Sequence, residues 1–149
     1  MSSLTRHLPT AARLALGLGF FVFGLNGFLA FLPMPPAPPA AGSFLGALVA
    51  TGYMFPLIKG TEVVAGALLL TNRFTPLALT LLAPVLVNIV LFHALLAPGG
   101  LAIPVVLLAL ELVLAWTYRA AFVPMLRARV TPDTAAAPHH ATPRQAHAH

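Results

Sequence analysis

The chain has 149 residues, of which 59% are hydrophobic and only 7% charged, with a formal net charge of +5. A soluble domain carries roughly 25% charged residues, and one this short buries only about two-thirds of its surface, so a water-solvated fold is excluded and the solvent is a bilayer. The basic residues lie at the ends of apolar runs rather than in a patch, which excludes a nucleic-acid footprint, and the absence of cysteine excludes disulfides, thiolate metal sites and dithiol chemistry by this chain alone.

Residues 1–10 are polar and read as a short cytoplasmic lead. The first span is expected from about Ala11 to Leu32, long enough to cross a core of roughly 30 Å. It is too long for a signal-peptide core and is read as retained. Ala15 and Gly19 stand four apart and offer a smooth helix face, and Asn26 lies near the far end. Residues 33–42 hold five prolines and predict an extended surface loop. Residues 43–54 form a short apolar helix with Ser43 as N-cap, lying at the interface or fused to the next span through a kink at Pro56. A separate or sharply bent interfacial helix fits better. Its Gly42, Gly46 and Ala50 recur every four residues.

The second span covers about Phe55 to Thr71 and carries Lys59 and Glu62. Thr71-Asn72-Arg73 is a tight turn. The third span runs from about Phe74 to Leu96, with Pro76 and Pro84 inside it and Asn88 and His93 in its second half. Ala97-Pro98-Gly99-Gly100 is another turn. The fourth span runs from about Leu101 to Ala121, with Glu111 near its middle and Trp116 and Tyr118 as interface anchors. Residues 127–149 are rich in Ala, Pro and His and are expected to be a disordered cytoplasmic tail. Its His139, His140, His147 and His149 read as a plain tail rather than a fixed metal site.

Arginines flank alternate ends of the spans, whereas residues 33–42 and 97–100 carry no Lys or Arg. The positive-inside rule then places both termini and the turn at 72–73 in the cytoplasm. The expected fold is an all-α polytopic membrane four-helix bundle with an extra short interfacial helix after the first span. Asn26 before Glu62 and Asn88 before Glu111 also form a faint repeat of the kind found in transporters.

By depth along each span, Asn26, Glu62, Asn88 and His93 fall within roughly 5–12 Å of the outer surface, with Glu111 deeper. Facing inward, they make one polar cluster. Lys59 and Glu62 are three apart and can pair; Lys59 can also snorkel to the headgroups. Asn26 and Asn88 can equally be interhelical hydrogen-bonding groups, and His93 an interfacial side chain. An acid within a span is a functional-site candidate by default, which singles out Glu62 and then Glu111. The phenylalanines of the first span read as packing rather than a quinone pocket. No nucleophile triad, phosphate loop or helical zinc motif is present, so no catalytic residue and no metal site are assigned.

The GLNGF stretch at 24–28, the glycine-bounded Glu62, NRF at 72–74 and VNIVLFH at 87–93 resemble the DoxX family of small bacterial membrane proteins. The resemblance covers about residues 11–126. It implies a four-helix protein of the bacterial inner membrane and a shared polar site at Asn26, Glu62, Asn88 and His93. Some relatives serve redox modules linked to quinone, thiosulfate or oxidative stress. The expected role is therefore a membrane subunit or partner of such a module, with quinone as candidate cofactor and a redox protein as partner. The alternatives are a small transporter or channel and a non-catalytic scaffold.

Overall fold

The computed structural model describes residues 3–129. These residues form six α-helices and two short 3-10 turns, with no strands among them. Helices α1 (Ser3–Leu29), α3 (Met54–Leu70), α4 (Thr75–Leu96) and α5 (Ala102–Thr117) make the bundle. Helix α2 (Pro39–Ala50) precedes α3 at one end, and α6 (Arg119–Phe122) follows α5 at the other. Each bundle helix touches two others in a closed ring, α1 to α3 to α4 to α5 and back to α1.

The bundle differs from a soluble one on its outer surface. Its outward positions are apolar, including Leu77, Leu81, Val87 and Leu91 on α4 and Val105, Val106 and Leu112 on α5. The interior is also apolar, with Leu16, Leu69, Leu79, Leu82, Leu86 and Leu114 buried. Leu79, Leu82 and Leu86 are three and four residues apart, which sets them on one helical face. A helix apolar all round belongs in lipid. Two helices, His7–Leu29 and Thr75–Leu96, are long and apolar enough to cross a membrane alone, and there are up to four spans if each bent helix pair counts as one. The chain is an all-α membrane helical bundle.

Lipid offers no hydrophobic drive for helices to associate, so close packing must hold them. The tightest contact is α1 on α3. A methyl built at Gly66 would lie 2.6 Å from the Phe21 nitrogen, one at Gly17 would lie 2.9 Å from Leu69 Cβ, and one at Gly24 would lie 2.9 Å from the Val63 nitrogen. Residue numbers fall along α3 as they rise along α1, so the pair is antiparallel. The short links 71–74 and 97–101 make the next pairs antiparallel too. The bundle therefore has a proline end, with residues 30–53 and 97–101, and an arginine end, with Arg13, Arg73 and Arg119.

Several expectations shift. Helix α1 already begins at Ser3, so the lead is helical, with Pro9 inside it. The smooth face of α1 uses Gly17 and Gly24, whereas Ala15 points outward. Helix α2 starts at Pro39 rather than Ser43, because proline at the first helical position loses only an N–H that has no helical partner. Ser43 sits inside the helix, and its hydroxyl donates to the Pro39 carbonyl at 3.0 Å. The break between α2 and α3 is a 93° bend at Gly52, whose φ of +76° suits glycine, while Pro56 lies in the first turn of α3. The Thr51 hydroxyl accepts from the Met54 N–H at 3.0 Å, which gives the first N–H of the new helix a partner. The fourth span is not one rod to Ala121: it bends by 75° after Thr117. The expected disordered tail lies, beyond Arg129, outside the described residues.

Candidate functional site

Glu62 lies on the α3 face pressed against α1. A methyl at Gly24 would meet its Cβ at 3.0 Å, and one at Gly27 would meet the Lys59 side chain at 2.5 Å. The two glycines of GLNGF thus open the space in which the charged pair sits. Lys59 Nζ donates to Glu62 Oε2 at 2.9 Å and to Oε1 at 3.1 Å, so both carboxylate oxygens are satisfied from one turn earlier on the same helix. Glu62 is 1% exposed, whereas the Lys59 side chain keeps 21% of its surface open. The ammonium also lies 5.9 Å from the centre of the Phe55 ring, a favourable position for a cation. Lys59 thus pairs with Glu62 while part of its side chain stays open. Gly60 has no neighbour within 4 Å, so of the two glycines flanking Glu62 only Gly66 admits another backbone.

Asn26 stands near the end of α1, on the stretch that faces Lys59. Its Oδ1 accepts the N–H of Leu32 at 2.6 Å. Ala30 takes a left-handed conformation, φ 49°, and the side-chain acceptor secures the chain where α1 ends. This is a local closing role rather than a bond to a neighbouring helix.

Asn88 and His93 are not brought to the pair. Asn88 is exposed on α4, where a shallow groove is lined by Phe44, Leu91, Phe92 and Leu95. His93 lies under the second turn of the proline end. Its Nδ1 is 2.9 Å from the Ile89 carbonyl, its ring meets Phe92 edge-on at 5.1 Å, and a methyl at Gly100 would lie 2.7 Å from its Cδ2. The expected cluster thus resolves into separate places: the Lys59–Glu62 pair against Gly24 and Gly27, Asn26 closing the end of α1, Asn88 on an outer groove, and His93 against the 97–101 turn.

Glu111 is elsewhere again. It is 5% exposed, among the core residues of α5, and neither carboxylate oxygen has a hydrogen-bond partner among the described residues. Its helix neighbour Leu107 packs beside Gly19. Because α5 runs antiparallel to α1, Glu111 lies one turn nearer the arginine end.

Arg13 escaped the sequence reading, which used it only as a topology signal. It is buried, and its Nη1 donates to the carbonyl of Leu69 and, at 3.2 Å, to that of Leu70. The last carbonyls of a helix lack helical donors and carry the negative end of its dipole, so a cation from α1 suits them. The signal was available: an arginine at the start of one helix faces the end of its antiparallel neighbour.

Among the described residues, no group of three His, Cys, Asp or Glu side chains stands close enough to hold a metal ion. Comparison of the chain with family models, curated proteins and solved structures finds no match to any of the three.

Proposed function

We propose that this integral membrane protein is of the DoxX type and serves as the membrane partner of a redox module, offering a quinone headgroup a place at the Lys59–Glu62 pair. The observation that supports the reading is the seating of that pair: two stretches that carry the family resemblance, GLNGF and the glycine-bounded glutamate, meet in space there. An ammonium has three N–H donors. Two bond Glu62, which leaves one on a side chain that is partly open beside the Phe55 ring. A quinone carbonyl accepts such a donor, and its ring suits an aromatic neighbour. With no cysteine, the chain would take its electrons from a partner protein. In this reading it resides in a bacterial inner membrane with four spans and both termini in the cytoplasm.

The test is quinone titration of the full chain in lipid nanodiscs, together with identification of proteins that co-purify from its native membrane. Saturable binding that weakens in Lys59→Met, with an oxidoreductase among the co-purifying proteins, is expected. Absence of both overturns the proposal. Proteoliposome flux that depends on Glu62 would point to the transporter instead.

A further inference from the structure

We propose that Glu111 is a proton-binding site within the membrane domain, separate from the Lys59–Glu62 pair and carried as the neutral acid in the resting protein. A carboxylate buried without a counter-ion or donor bears a desolvation cost that a neutral acid avoids. The two intramembrane acids therefore differ by construction. Glu62 has a lysine bonded to both oxygens. Glu111 is also buried, at 5% exposure, yet neither oxygen is met by any group among the described residues.

The neighbours of α5 supply no cation to Glu111. On α1, Arg13 is turned to the carbonyls of Leu69 and Leu70. On α4, His93 lies at the opposite end, beside Gly100. Beyond α5, Tyr118 is half-buried, and Arg119 donates to the Trp116 carbonyl at 3.0 Å and stacks on the Trp116 ring. Lys59 is engaged on α3, which is not one of the helices that flank α5 in the ring. A metal ion would need several oxygen ligands at once, and the described residues offer no such group. A proton needs one oxygen, which this site has.

The chain makes the test simple, because its acidic side chains number three, Glu62, Glu111 and Asp133. The full chain in nanodiscs is studied by infrared spectroscopy as wild type, as Glu111→Gln, and as Glu62→Gln/Asp133→Asn, which leaves Glu111 as the last acidic side chain. A protonated-carboxyl stretch is expected in the wild type and the double variant, lost in Glu111→Gln and fading as pH is raised. Dicyclohexylcarbodiimide, which adds across protonated carboxyls in apolar surroundings to leave a stable N-acylurea with no other reactant, should label Glu111 and spare Glu62. A double variant that folds but shows no protonated-carboxyl stretch at neutral pH overturns the proposal, as does a wild-type stretch that Glu111→Gln leaves undiminished. Neither readout involves quinone, so this result stands or falls apart from the redox reading.

Discussion

Replacing Gly66 by alanine tests the packing that holds the bundle together. The new methyl would lie 2.6 Å from the Phe21 nitrogen and 2.9 Å from both Phe21 Cα and the Gly17 carbonyl oxygen. All three are backbone atoms, so no side chain can swing aside. Restoring ordinary contact requires α1 and α3 to part by about 1 Å, and a gap of that size forfeits a quarter to a half of each dispersion contact along the seam. Overpacking of this kind costs about 1–3 kcal/mol, offset by up to about 1 kcal/mol from the better helix propensity of alanine. Gly60→Ala, six residues away on the same helix, meets nothing within 4 Å and isolates the propensity gain. Reversible unfolding in mixed micelles, followed by helical circular dichroism, compares the two. Gly66→Ala should be less stable than wild type and Gly60→Ala equal or better. Equal stability of both variants, or the reverse order, would refute the close approach of α1 to α3.

Removing Arg13 should also loosen that pair: Arg13→Ala takes a charged donor from the last carbonyls of α3 and should cost about 1–3 kcal/mol in the same assay, with Arg13→Lys recovering only part because it lacks the planar fork. Lys59→Met strands Glu62 in an enclosed site and should destabilise by about 3–5 kcal/mol, whereas adding Glu62→Gln should recover most of the loss; a double variant no better than the single one would refute the pairing. Because the chain has no cysteine, single cysteines at Asn72 and Gly99 can be labelled cleanly with an impermeant maleimide in intact cells. Under the proposed orientation, position 99 should react from outside and position 72 only after lysis.

The turns were legible because they rest on local chemistry. Asn72 takes a left-handed φ of 56°, a conformation asparagine tolerates, and α3 and α4 end and begin on either side of it. Phe74 is left-handed as well, φ 51°, and nothing in its residue type announces that. The start of α2 was misplaced because a run of prolines reads as a helix breaker, although one proline at the first turn begins a helix. The site was only partly legible. Lys59 and Glu62 share a helix and a three-residue spacing, so their contact is local. Asn88 was expected beside them from depth alone, and depth says nothing about rotation. A helix that is apolar on every side carries no periodic signal to tell the bundle face from the lipid face.

What the sequence determined by itself is the solvent and the element list: few charges, long apolar runs and clustered turn residues require helices in a bilayer, since lipid leaves backbone polar groups no other partner. Tertiary structure alone decided which polar side chains meet. The close approach of α1 and α3 over Gly17, Gly24 and Gly66 encloses Glu62 with its lysine, turns Arg13 to the end of α3, and leaves Glu111 on α5 with no partner among the described residues. Those outcomes depend on how each helix is rotated against its neighbour, which is fixed by backbone contact across the bundle and not by any pattern along the chain.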